Sequence, residues 1–221
     1  MILYKYTSLK YIELCIENGI YASKLEDVND PYESYRIRYP KQYRICCLSS
    51  SYKKMLLWSY YTRHKGCVIA YELPDNCKII RRIKYINNLI DYSELDESQL
   101  FNALYTKGSE WEHENEWRIV YKDKEHVSEY WNTLENNDIY FKAKVKKIYL
   151  GALSSKDELS YLDCLEKIKY INEKSNNQIE VNKMMLSNKK YQLVIDKQFD
   201  YLQEIKELKK TKIAHQTYKR C

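Results

Sequence analysis

The chain has 221 residues, 44% of them hydrophobic, which suits one domain of ordinary size with its own core. Its formal net charge of +6 is mild, below what by itself indicates a nucleic-acid binder, and no apolar run approaches the roughly 20 residues needed to span a bilayer. Four glycines exclude a P-loop or a Rossmann-type dinucleotide fingerprint, and neither G-x-S-x-G nor H-E-x-x-H occurs.

In chain order, Ile2 to Tyr6 predicts a short strand, and Ser8 caps a helix from Leu9 to Asn18 that Gly19 ends. Ile20 to Ala22 is extended. Asn29-Asp30-Pro31 is a turn, because Pro fixes φ while Asn and Asp bond nearby backbone. Tyr43 to Leu48 reads as a buried strand, Met55 to Tyr61 as a short helix, and Cys67 to Glu72 and Ile79 to Tyr85 as further strands. Leu89 to Tyr105 reads as helical with an acidic loop inside it, and Glu129 to Leu134 reads as helical. Ile139 to Val145 and Lys147 to Leu150 alternate as strands do.

Lys156 to Asn172 predicts an amphipathic helix with Leu159, Leu162, Leu165 and Ile168 toward the core. Ile179 to Met185 and Tyr191 to Ile195 close the strand series, and Asp196 to Lys212 reads as an appended helix with a basic end. Short strands with interspersed helices and no regular βαβ alternation indicate an α+β fold. The expectation is a single domain over 1–195, with a split, mixed or antiparallel sheet around a cleft, and a basic helical tail over 196–221.

With 24 Tyr against 3 Phe, tyrosine must supply much of the core. Seven cysteines without a CxxC pair read as reduced thiols of a cytoplasmic chain. Cys46, Cys67 and Cys77 with His64 match no standard zinc spacing, so no metal is expected.

The densest polar constellation is Trp111 to Arg118, W-x-x-E-x-E-W-R. Read as extended, it places Glu112, Glu114, Glu116 and Arg118 on one face and Trp111, Trp117, Ile119 and Tyr121 on the other. Such a charged face is either a solvated edge or the floor of a polar cleft. Arg118 either clamps a phosphate or neutralises the carboxylates. Trp58-x-x-Tyr61 puts two aromatics on one helix face, either as core or as a stacking platform for a planar ring. His64, just before Lys65-Gly66, is either a satisfied surface residue or a site residue.

Tyr4-Lys5-Tyr6-Thr7-Ser8, Asn29-Asp30-Pro31-Tyr32-Glu33, Cys47-Leu48-Ser49, Trp58-Ser59-Tyr60-Tyr61, His64-Lys65-Gly66, the Trp111 to Arg118 motif and Ile148-Tyr149-Leu150-Gly151 occur in that order. The ordered set, over about residues 1 to 195, resembles the bacterial domain-of-unknown-function 2971 family. The order of its motifs is in turn similar to the His, Tyr, Glu layout of ADP-ribosyltransferases. That resemblance implies NAD as substrate, Glu116 as catalytic carboxylate with Glu114 next, and Tyr61 as the aromatic on nicotinamide with Trp58 beside it. It implies Lys5 at the ribose anchor, where many relatives carry His, with Tyr6 beside it. Arg118 is a cofactor-binding candidate, and Asn29, Asp30, Glu33 and His64 are further cleft candidates.

The implied activity is transfer of ADP-ribose to a nucleic-acid or protein acceptor, in bacterial defence or a toxin system. The alternative is a non-catalytic nucleic-acid or nucleotide binder, on the strength of Lys206 to Arg220, Arg36 to Arg44 and the abundant tyrosine. No membrane partner is expected, and the sequence leaves the oligomeric state open.

Overall fold

The computed structural model describes residues 1–218 apart from 36, 38, 39, 76, 90–94, 124–127, 176 and 177. In chain order its elements are β1 (Ile2–Thr7), α1 (Ile12–Asn18), β2 (Ile20–Tyr21), β3 (Ser23–Lys24), α2 (Pro31–Tyr35), β4 (Tyr43–Ser49), α3 (Met55–Thr62), β5 (Cys67–Glu72), β6 (Ile80–Arg82), β7 (Lys84–Ile86) and α4 (Glu97–Ala103). Then follow β8 (Thr106–Gly108), β9 (Glu116–Lys122), β10 (Trp131–Thr133), β11 (Ile139–Phe141), β12 (Lys144–Leu150), α5 (Glu158–Lys174), β13 (Glu180–Leu186), β14 (Leu193–Ile195) and α6 (Tyr201–Tyr218). The fold is α+β. Among the described residues no helix is long and apolar enough to cross a membrane.

The chain forms two compact units. Unit 1 gathers Met1–Lys5, Asn18–Ser51 and Glu72–Lys144; unit 2 gathers Tyr6–Glu17, Tyr52–Tyr71 and the chain from Val145. In unit 1, β4 is the axis of an antiparallel sheet. It pairs with β9 from Tyr43↔Lys122 to Ser49↔Glu116, with β3 at Ser23↔Ile45 and with β1 at Tyr4↔Ser49. Strand β6 adds to β9 at Ile80↔Ile119. A second sheet runs β10-β11-β2, and β7 and β8 form a parallel pair.

One face of β4 and β9 presents Tyr43, Ile45 and Val120 to a core completed by Leu25, Ile37, Ile83, Leu100, Leu104 and Tyr105. Alternation with a period of two carries Glu116 and Arg118 onto the face of Val120. They therefore border an apolar core instead of solvent.

Unit 2 carries a mixed sheet. β13 runs parallel to β12 at Ile148↔Val181 and antiparallel to β14 at Met184↔Ile195, and β5 lies on the other side of β12. Val68 and Ile69 of β5 are fully buried, as are Tyr161, Leu165 and Ile168 of α5. The tail helix α6 packs on α5, with Ile205 buried, the Tyr161 hydroxyl donating to Glu204 and Lys209 reaching Glu166 at 2.6 Å.

Several expectations are corrected. Leu159 is 72% exposed, because the buried stripe of α5 runs through Tyr161, Cys164, Leu165 and Ile168. The stretch Glu129 to Leu134 is not a helix: one 3-10 turn gives way to β10, whose Trp131 packs edge-on against Tyr121 and Phe141. Tertiary packing of the aromatics overrides the local pattern. In Leu89 to Tyr105 only α4 is helical among the described residues, opened by an Asp96–Gln99 capping box. Of the basic segment Arg36 to Arg44, residues 36, 38 and 39 lie outside the described residues, as do 219–221 at the end of the tail.

Candidate functional site

The Trp111 to Arg118 motif is not one extended strand. Ser109–Glu114 coils into 3-10 turns, Asn115 reverses the chain in the left-handed region at φ 47°, and β9 starts at Glu116. Asn is one of the few residues with a side chain that visits this region readily. Neighbouring elements fix the reversal. Ser49 donates its hydroxyl to the Glu114 carbonyl at 2.8 Å, the Ser50 amide donates to the Asn115 carbonyl, and the Glu116 amide donates to the Tyr85 hydroxyl at 2.8 Å. Coiling still brings Glu114 to the side of Glu116, by a route that strand alternation does not describe.

The result is a buried charge cluster. Lys107 of β8 donates to Glu114 Oε2 at 2.7 Å and to Glu116 Oε2 at 3.3 Å, and its ammonium lies 4.5 Å from the centre of the Trp111 ring. Arg118 Nε and Nη2 donate to Glu116 Oε1 at 2.9 and 2.8 Å, and Nη1 donates to the Leu104 carbonyl at 2.7 Å. Arg118 Nη2 also donates to Glu33 Oε1. Arg118 is 1% exposed and Glu116 3%. Charges this dry persist only when paired and hydrogen-bonded.

Burial alone pushes the Glu116 carboxyl up, but the Arg118 and Lys107 charges outweigh it and hold the group below its ordinary range. At Glu33 burial prevails over Arg118, helped by the Glu116 charge, and that carboxyl is pushed up. Burial works against the Lys107 ammonium, but Glu116, Glu33 and Glu114 raise it above its usual value. Burial, with Glu116 nearby, also pushes up the Cys47 thiol.

These shifts fix the sign of the pH response. Glu116, depressed in the fold, contributes stability that is present above the ordinary glutamate value of about 4.3 and is lost as pH falls through its folded value. Glu33, raised in the fold, makes the native state bind the extra proton, so stability declines as pH rises from about 4.3 toward its folded value. Melting temperature followed from pH 2 to 8 is expected to show a shallower acid arm in Glu116→Gln. Glu33→Gln is expected to remove the decline above it. An unchanged acid arm in Glu116→Gln contradicts the ionised state assigned here.

Beside the cluster lies a cavity of about 480 Å³, within the range of small-molecule sites. Its walls are Asp30, Tyr32 and Glu33 with Ile37, Ile86 to Leu89, Ala103 and Leu104, Thr106 to Trp111, and Arg118. Glu33 borders it directly, whereas Glu114 and Glu116 stand behind Lys107 and Arg118. Asp30, 3% exposed, starts α2 by accepting from the Tyr32 amide at 3.0 Å, and Pro31 follows at the first helical position. Asn29 before it is exposed. Lys5 of β1 is half-buried in the same unit, with its charge felt at the Cys46 and Cys47 thiols.

The remaining candidates belong to unit 2. Trp58 is fully buried, its indole N–H donates to the Tyr52 carbonyl at 2.7 Å, and Tyr6 packs edge-on with ring centres 5.5 Å apart. Tyr61 is 42% exposed, so the two aromatics of the W-x-x-Y motif do not share an environment. The Tyr6 hydroxyl accepts from the Lys54 amide. His64, at φ 58°, lies nearly parallel to Trp58, and burial lowers its pKa.

The residues missed from sequence are Lys107, Asn87, Asn88, Ser109 and Tyr85. Lys107 has a faint signal, standing seven and nine residues before the two glutamates that it pairs with. Among the described residues, no three His, Cys, Asp or Glu side chains gather as a metal site. No family model matches the sequence, and neither a curated protein nor a solved structure matches the chain.

Proposed function

We propose that this protein is an ADP-ribosyltransferase-like enzyme that takes NAD into the cavity of unit 1 and transfers ADP-ribose to a nucleic-acid or protein acceptor. The observation that carries the reading is the charge balance at the cavity. Three carboxylates (Glu33, Glu114, Glu116) face two cations (Lys107, Arg118), with Trp111 and Tyr32 as aromatic walls. The nicotinamide ring of NAD is itself a cation. When the bond from the anomeric carbon to the ring nitrogen breaks, its electron pair leaves with the ring, and the acceptor bonds to the carbon and releases a proton. An excess of buried negative charge and aromatic faces favour the cationic ring and the positive charge that follows it.

Within this reading Glu33 is the carboxylate at the cavity wall, and Glu116 is a positioning residue. Both Glu116 oxygens are engaged, and its charge holds Lys107 and Arg118 in place. The order of sequence motifs, from Tyr4 to Gly151, supports the same family reading. All the roles assigned fall to residues of unit 1.

The test is nicotinamide release from NAD by the purified chain, followed by chromatography. Wild type is expected to release nicotinamide, and Glu33→Gln to lower kcat by about 100-fold or more, the scale of losing one preorganised charge contact. No release by folded wild type at millimolar NAD eliminates the transferase reading.

A second reading, a nucleic-acid-binding module, is favoured by the exposed Lys206, Lys209, Lys210 and Lys212 of α6. Binding of single-stranded DNA that weakens steeply with salt and is lost on truncation before α6 would support it.

A further inference from the structure

Glu33 is 7% exposed, borders the cavity, and accepts Arg118 on one oxygen only; its Oε2 is buried and accepts no hydrogen bond from any described residue. A buried carboxylate oxygen left in that state is costly, and this one stands where a ligand can satisfy it. The donors opposite are nearly spent. Arg118 commits four of its five N–H groups, and Lys107 two of its three. One N–H on each remains for an acceptor. Trp111 and the exposed Tyr32 add planar apolar faces.

We propose that the cavity selects a planar nitrogen heterocycle carrying an amino or carboxamide N–H, and that Glu33 Oε2 accepts that N–H. A ring with a donor beside an acceptor meets both the unpartnered oxygen and the remaining cationic donors. A ring with a carboxylate at the same place meets like charge. The inference rests on the cavity being the ligand site, but neither on NAD nor on group transfer. It fits two sources, the carboxamide of nicotinamide and the amino group of adenine.

The experiment is calorimetric titration of the full chain with two matched pairs, nicotinamide against nicotinate and adenine against purine. Within at least one pair, the N–H-bearing member is expected to bind at least about tenfold tighter, the scale of one hydrogen bond to a charged group. The pair that shows the preference identifies the source. Glu33→Gln gives a second, sharper readout. Arg118 pins the Gln carbonyl, so the amide NH₂ replaces Oε2, and the wild-type preference is expected to disappear for adenine over purine or to reverse for nicotinamide over nicotinate.

Equal binding within both pairs, no binding of any of the four, or an unchanged preference in folded Glu33→Gln overturns the proposal. The wild-type comparison decides by itself if the variant does not fold. Selective binding without NAD turnover removes the transferase reading and leaves this one; NAD turnover without selectivity does the reverse.

Discussion

Replacing Arg118 by alanine is expected to cost about 3–5 kcal/mol of folding stability, the scale of breaking a buried ion cluster from one side. At roughly 2–4 °C per kcal/mol for a chain of this size, the melting temperature falls by about 6–20 °C. The loss has two parts. The Leu104 carbonyl and two carboxylates lose their donors, and Glu33 and Glu116 stay buried without the cation that paired them. The second part depends on pH. Without the guanidinium the Glu33 carboxyl is raised further and the Glu116 carboxyl loses the main charge that holds it low, so the native state binds more protons and the deficit against wild type shrinks as pH falls.

Partial rescue should follow from removing the stranded charge, so Glu116→Gln in the Arg118→Ala background is expected to be less unstable than Arg118→Ala alone. Arg81, a half-exposed arginine bonded to Asn102 and the Lys78 carbonyl, is the control, with an expected effect of about 1 kcal/mol or less. If Arg118→Ala melts no lower than Arg81→Ala, the cluster is not the desolvated network described.

Gly151→Ala is the second large effect. A methyl group there would lie 2.2 Å from the His64 carbonyl oxygen, 2.7 Å from its carbon and 3.0 Å from the Gly66 oxygen, all backbone atoms that cannot rotate away. The same atoms carry the contact between the end of β12 and the turn after α3. Gly151 donates to the Gly66 carbonyl and Leu153 to the His64 carbonyl, both at 2.9 Å. Separating the two segments forfeits these bonds. The expected cost is about 3 kcal/mol, the upper range for overpacking, or about 6–12 °C in melting temperature. Gly108→Ala is the matched control. Its nearest contact is Trp111 Cδ1 at 3.9 Å, ordinary van der Waals distance, and its backbone is not left-handed, so the melting temperature should hardly move. Equal melting of the two variants would falsify the close approach at Gly151.

Much of the fold was legible because its signals are local. Strand β4 is apolar from Ile45 to Leu48 and β5 from Cys67 to Tyr71, Gly19 ends α1 at φ 101°, and the Asn29-Asp30-Pro31 turn starts α2. The site was legible only in part. Glu116 and Arg118 follow from strand alternation once β9 begins, but its beginning depends on Asn115 taking a left-handed conformation. Sequence offered that conformation without requiring it. Lys107 was invisible for a different reason: one lysine among 37 cationic residues becomes a buried ion-pair partner only through the register of β8 against β7 and the coil that follows. The W-x-x-Y motif left core and surface undecided because helical spacing fixes direction, not depth. Trp58 faces the interior while Tyr61, one turn on, faces water.

The two units are woven from alternating stretches of chain, residues 1–5, 18–51 and 72–144 in one and 6–17, 52–71 and 145 onward in the other. During synthesis, therefore, neither can finish early. The first must wait for β11 and the chain up to Lys144 to leave the ribosome, and the second for β12, α5, β13 and whatever of α6 it needs. Strand partners far apart in sequence slow folding and prolong the exposure of apolar surface. Even truncation after Lys144, which keeps all of unit 1, strands residues 6–17 and 52–71 without the rest of their unit, so a protease that nicks one junction should leave the pieces associated, and expressing either half of the gene should yield an insoluble product.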